Sequence, residues 1–238
     1  MTGHDIRVRK RINHESILSG MSGTVVEKKE IRLHGRKVVY RASQPAANRG
    51  IVVLLHGYSF NSAIWDGSGV FSALNSVGLG AVAPDYPGFG ESEEIQEFKV
   101  ERGDLKASGA FIEEFSDALG LERYHLLGAS MGGGMALLTA LMHPHEVLSV
   151  VAAAPAWVKD REREMERIQC PVLLIWGSAD SVVPLQDGVA YSRRIKGCKL
   201  EVIQGAGHPS YLDAPERFAE VLKGFYSTLV SRQKPTTE

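Results

Sequence analysis

Tyr124-His125-Leu126-Leu127-Gly128-Ala129-Ser130-Met131-Gly132-Gly133-Gly134 is the stretch on which the reading of this chain turns. A short apolar run of strand character passes, with no connecting loop, into a glycine-rich segment. That segment continues as an apolar helix pattern to His143 and stops before Pro144. A strand that must become a helix at once forces the residue at the bend into a strained backbone conformation. Only small neighbours tolerate such a bend, which accounts for glycine at 128 and 132 around Ser130. The turn lifts the Ser130 hydroxyl clear of the sheet edge and aims the free N–H groups of a helix N-terminus at the space above it. G-x-S-x-G between a strand and a helix is the context in which that motif presents a nucleophile.

Outward from this bend, the chain alternates strands with helices. Residues 24–31 and 37–41 read as two strands joined through His34-Gly35, a hairpin turn. Further strands are expected at 51–55, 80–83, 124–127, 147–152, 172–176 and 199–203. The later runs are mostly uninterrupted apolar stretches, as strands covered on both faces are. Asp104 reads as the N-cap of a helix with Leu105, Phe111, Ile112, Phe115 and Leu119 on one face and Gly120 as its stop. Helices follow at 132–143 and 188–195. Asp213-Ala214-Pro215-Glu216 resembles a capping box opening a last helix, striped by Phe218, Val221, Leu222, Phe225 and Leu229. The expectation is an α/β fold: one eight-stranded, mostly parallel sheet flanked by helices, with the first hairpin as its antiparallel edge. A single domain over residues 21–231 suffices, with a basic N-terminal tail or arm at 1–20 and a C-terminal tail at 232–238.

In open α/β sheets reactive groups gather at the carboxyl ends of the strands. A serine hydroxyl needs a base, and Gly205-Ala206-Gly207-His208 follows the last strand, so His208 is positioned to lean over Ser130. Trp176-Gly177-Ser178-Ala179-Asp180 supplies a carboxylate just past the preceding strand. The resulting chain order, Ser130, Asp180, His208, fits a triad on this type of sheet. Asp160 and Asp213 compete with Asp180, the latter as a helix cap. Two oxyanion donors are expected: the N–H of Met131, directly after the nucleophile, and that of Tyr58 in the loop after the 51–55 strand. His56, in that same loop, reads as structural.

His56-Gly57, the run from Asp85 to Ser92, Gly128 to Gly132, Gly177 to Asp180 and Gly205 to Pro209 together resemble the successive signatures of the α/β-hydrolase superfamily. The stretches from His56 to Trp65 and from Gly205 to Asp213 are similar, more narrowly, to small cap-less abhydrolase-domain proteins of the CCG1-interacting-factor B type. The resemblance implies a compact hydrolase or acyltransferase acting on small acyl groups, with Asp85 and its loop architectural. Only the highly charged 155–171 segment, read as one short solvated helix, fills the place where relatives insert a cap, so no substantial cap domain is expected. The acidic 86–103 segment is a second candidate lid, read as mobile. Phe60, Trp65, Trp157, Val183 and Tyr211 are the candidate substrate-pocket residues, with Tyr58 and Met131 beside them. Such bulk suggests acyl chains of about two to six carbons.

The expected activity is a carboxylesterase-like serine hydrolase working through an acyl-serine intermediate. An acyltransferase with a thiol or alcohol acceptor, a triad-bearing lyase, or a non-catalytic binding or signalling protein of the same fold are the alternatives. Lys and Arg total 27 against 28 Asp and Glu in 238 residues, a net charge of -1. That balance offers no global field for nucleic acid or an anionic membrane surface. No segment approaches a membrane span and the N-terminus lacks the apolar core of a secretory signal, so a cytoplasmic protein with reduced thiols is expected. Cys170 and Cys198 each precede one of the last two strands, where a bridge would be within reach. No cofactor and no metal are called for: His143-Pro144-His145 alone is not a metal site, and the glycines after Ser130 form no phosphate loop. The expected partner is a small-molecule acyl ester, with homo-oligomerisation left open.

Overall fold

The computed structural model describes residues 24–44, 47 and 49–232. The expected tail at 1–20 and all of the expected tail at 232–238 but Arg232, which ends the last helix, lie outside the described residues. Eight strands form one sheet: β1 (Val26–Leu33), β2 (Arg36–Ser43), β3 (Ile51–Leu55), β4 (Gly80–Pro84), β5 (Tyr124–Ala129), β6 (Val147–Ala153), β7 (Val172–Gly177) and β8 (Lys199–Ile203). Their spatial order is β1-β2-β4-β3-β5-β6-β7-β8. β1 pairs antiparallel with β2 and β2 with β4, and every other pairing is parallel. The hairpin closes at His34 (φ 51°) and Gly35 (φ 75°), with Leu33 opposite Arg36. Two consecutive positive φ values make this the turn whose twist matches paired strands.

Helices α1 (Val70–Ser76), α2 (Ser108–Ala118), α3 (Met131–Met142), α4 (Leu185–Arg194), α5 (Ser210–Asp213) and α6 (Pro215–Arg232) cover both faces. Along β3, Val53 and Leu55 face one core with Phe111 and Phe115 of α2 and Met135 and Leu137 of α3. Val52 and Leu54 face a second core with Phe71 and Leu74 of α1 and Phe218 and Leu222 of α6. This alternation explains the unbroken apolar runs, since both pleat faces are buried. The chain leaves β3 toward β4 on one side, then returns across to β5 on the other. The carboxyl ends of β3 and β5 therefore meet at the point where strand order reverses, which opens a crevice.

Four expectations at element level are corrected. Helix α2 begins at Ser108, and Asp104 instead accepts a hydrogen bond from the Lys106 N–H at 2.9 Å. Asp213 does not cap the last helix. Ala214 supplies the first carbonyl, accepting from the Phe218 N–H at 2.9 Å, while the Asp213 carboxylate accepts from the Gly207 N–H at 2.7 Å. The 86–103 segment is packed down through buried Tyr86, Ile95, Phe98 and Val100. The 155–171 segment holds a 3₁₀ run, Lys159–Arg167, with Met165 buried beneath it. Helix α1 carries no sequence start signal, since its N-cap is Gly69, which offers no side-chain cap. Both cysteines are free thiols. Burial pushes Cys170 up to about 11 and Cys198 up to about 12, which favours the protonated thiol over the thiolate at neutral pH.

Candidate active site

Ser130 occupies the bend between β5 and α3 at φ 54°, ψ -117°. Its backbone is pinned on both sides. The Ser130 N–H donates to the Ala153 carbonyl at 2.8 Å, and its own carbonyl accepts from the N–H groups of Gly134 at 3.0 Å and Ala156 at 2.9 Å. A Cβ at Gly128 would run into the Gly132 carbonyl, and one at Gly132 into the Leu55 carbonyl. The glycines are thus required by close approach of β3, β5 and α3, which is what the bend needs. Among the described residues the Ser130 hydroxyl has no hydrogen-bond partner.

His208 Nδ1 lies 2.9 Å from Asp180 Oδ2, and the Asp180 side chain is fully shielded from solvent. Asp180 Oδ1 accepts from the N–H groups of Val182 at 2.8 Å and Val183 at 2.9 Å. A carboxylate can only accept, so Nδ1 carries the hydrogen that faces Asp180, and in the neutral tautomer this selects, Nε2 is the acceptor on the other side. The two loops are stitched together. The Ala179 N–H donates to the Ala206 carbonyl at 2.9 Å, and Gly205 N–H to Ser178 Oγ at 2.9 Å. Gly177 permits this, because a Cβ there would strike the carbonyls of Ala206 and Gly207. Of the competing carboxylates, Asp213 holds the His208 loop through Gly207, and Asp160 lies in a separate groove.

Ser130 and His208 line one cavity of about 640 Å³, together with Tyr58, Phe60, Trp157, Val183 and Tyr211. Tyr58 lines it and Met131 follows Ser130 directly at the start of α3, and neither backbone N–H donates a hydrogen bond among the described residues. Tyr58 packs edge-on against Trp157 at 5.3 Å and Phe89 at 5.6 Å, forming the rim. Trp65 does not line the cavity. It is fully buried in the core on the α1–α6 face, where its ring supports Tyr211 from behind at 5.1 Å. The Met131 side chain is likewise core. Arg102, Lys159, Asp187 and Tyr191 line the cavity without having been singled out in the sequence. Lys159 opens the charged 3₁₀ run, and no local pattern separates it from its solvated neighbours.

His56 is structural. Its Nδ1 donates to the Gly57 carbonyl at 2.9 Å and its Nε2 accepts from the Tyr86 N–H at 3.1 Å, while burial lowers its pKa and keeps it neutral. Buried Asp85 accepts from the N–H groups of Ser62 at 2.7 Å and Glu91 at 2.8 Å, tying its loop to the start of the first 3₁₀ turn. Away from the cavity, Glu113, His143 and Glu146 bring ligand-type atoms within 4.8 Å of one another. They meet where the end of α3 passes α2, so no spacing in the sequence announces them. No helix among the described residues is long and apolar enough to cross a membrane.

With this geometry in hand, residues 50–169 match the family model described as alpha/beta hydrolase fold. Protein ABHD14A of Mus musculus is 30% identical over 196 residues, covering 81% of this chain and 77% of that protein. The chain belongs to the α/β-hydrolase family. ABHD14B of Homo sapiens, whose name provisionally assigns it protein-lysine deacylation, is 30% identical over 209 residues, 86% of this chain and 98% of that one. A crystal structure from Thermoplasma acidophilum, described as a predicted CIB-like hydrolase, is 39% identical with a TM-score of 0.83, covering 87% of this chain and all of that one. These relatives make the chain a small α/β hydrolase of the type the sequence resembled.

Proposed function

We propose that this α/β hydrolase is a serine hydrolase that cleaves short-chain acyl esters through an acyl-Ser130 intermediate. The observation that carries the reading is the convergence in one cavity of a strained serine and a histidine oriented by a shielded carboxylate. In the first step Ser130 Oγ attacks the acyl carbon while His208 Nε2 takes its proton. Negative charge on the carbonyl oxygen is held by the N–H groups of Met131 and Tyr58. The C–O bond to the alcohol then breaks, and the leaving oxygen receives the proton from His208. Water then attacks the acyl carbon as His208 takes its proton, the bond from that carbon to Ser130 Oγ breaks, and His208 returns the proton to Oγ as the acid leaves. Asp180 keeps the imidazole in the required tautomer and stabilises its charged form.

The aromatic rim and the size of the cavity support small substrates, with acyl chains of about two to six carbons. Transfer of the acyl group to a thiol or alcohol in place of water would use the same residues, and product analysis with added acceptor separates the two. The test is labelling by a fluorophosphonate followed by peptide mass spectrometry, with hydrolysis of a chain-length series of aryl esters. The label is expected on Ser130, and Ser130→Ala is expected to lower kcat by about 10⁴-fold or more. Absence of both label and turnover in a folded wild-type protein would mark the fold as serving a non-catalytic role, and full turnover by Ser130→Ala would remove Ser130 as the nucleophile.

A further inference from the structure

The charges of the cavity are not accounted for by hydrolysis of a neutral ester. Besides His208, its lining carries two cations, Arg102 and Lys159, and one carboxylate, Asp187. Lys159 Nζ donates to Asp187 Oδ1 at 2.7 Å. Asp187 sits in the first turn of α4 and is nearly buried, whereas the Lys159 side chain is largely exposed. The pair fixes one of the three N–H donors of the ammonium and leaves the others free. Arg102, an exposed residue at the end of the 86–103 segment, also lines the cavity and makes no hydrogen bond or ion pair among the described residues. Of the other carboxylates near α4, Glu162 is engaged by Arg194 at 3.4 Å and Asp160 lines a neighbouring groove with Arg161. Counted over the lining side chains alone, Arg102 and Lys159 against Asp187 leave one positive charge facing the cavity, while the Asp180 charge lies behind the lining and is directed at His208.

We propose that this cavity selects small esters carrying a second, anionic group, a carboxylate or phosphate, held between Arg102 and Lys159. The proposal deepens the hydrolase reading of the same site and rests on it. Arg102 supplies a planar fork suited to two oxygens of such a group, and Lys159 supplies a point charge oriented by Asp187. Asp187 is then a positioning residue.

The experiment compares kcat/KM for three aryl esters of equal chain length: a neutral butyrate, an anionic hemisuccinate and a cationic trimethylammonio-butyrate. Wild type is expected to prefer the hemisuccinate over the butyrate by roughly tenfold, a preference that shrinks as salt is raised. Arg102→Gln and Lys159→Gln are each expected to reduce that ratio several-fold. The double variant, in which Asp187 stands uncompensated, is expected to favour the cationic ester. Arg163→Gln removes the same charge from an exposed position outside the cavity and is expected to keep the wild-type ratio. A wild-type preference for the neutral or cationic ester, or an unchanged ratio in both single variants, overturns the proposal. Should none of the three esters be turned over, the hydrolase reading fails separately. Calorimetric binding of succinate against butyrate to wild type then decides, with binding of succinate no tighter than butyrate counting against the proposal.

Discussion

Ser130 holds φ 54° and ψ -117°, a conformation that costs a non-glycine residue about 1–3 kcal/mol. Three backbone hydrogen bonds from β6, α3 and the 155–158 loop over-determine it, so the strain is borne by the surrounding packing. Asp180 shows the complementary logic, in which one oxygen is anchored to two amides and the other is reserved for His208. Asp180→Asn would keep the anchor but turn an amide N–H toward Nδ1, favouring the wrong tautomer. The expected outcome is a fall in kcat of about 10³–10⁴-fold on a short-chain aryl ester at unchanged thermal midpoint. A variant within tenfold of wild type would show that Asp180 does not orient the base. At this scale the positions of Ser130, Asp180 and His208 at the ends of β5, β7 and β8 were legible in the sequence, because each stands in a short motif whose backbone demands are local. Trp65 was misread for the opposite reason. An aromatic near a loop signal can face either side of the sheet, and its own neighbours in sequence do not say which.

Elements were legible wherever burial on both faces wrote an unbroken apolar run, as in β3 and β5 to β7. The failures were at helix starts. Asp104 and Asp213 carry the side chain of an N-cap, yet both spend it on a turn or on a neighbouring loop. A short polar residue satisfies whichever free N–H tertiary packing brings closest. The strand–helix bend is the element under tightest constraint. In Gly128→Ala the added methyl meets the backbone of Gly132, which cannot rotate away. A loss of about 2–3 kcal/mol or more is expected, read from urea midpoints. Gly120→Ala, at φ 69° with open space around its Cβ, should cost only about 1 kcal/mol from the backbone alone. Equal losses in the two variants would refute close approach as the reason for glycine at 128.

At the scale of the whole molecule, the sheet separates a reactive end from a structural one. His125 lies on β5 at the far end from Ser130, with Nδ1 2.7 Å from Ser149 Oγ and its ring edge-on to Tyr226 of α6. Burial first, then the charge of Arg123, lowers it to about 4 from an ordinary value near 6.5. The unfolded chain therefore binds this proton more readily than the folded one. Stability is complete above about pH 6.5 and declines as pH falls toward 4, by on the order of 3 kcal/mol from this group. His125→Gln should show a smaller drop in urea midpoint between pH 7 and pH 4.5 than wild type, and equal drops would remove His125 from the account. From the order of residues alone came the alternating strands, the hairpin edge, the serine at the bend, and the imidazole and carboxylate on the last two loops. All of these follow from backbone geometry and burial periodicity over a few adjacent residues. Only the tertiary structure decided the rest of the cavity lining: Trp65 turned into the core, Arg102, Lys159 and Asp187 brought in from three separate segments. Cavity membership depends on which loops the reversal of strand order draws together, and that is a property of distant elements packing, which no local pattern encodes.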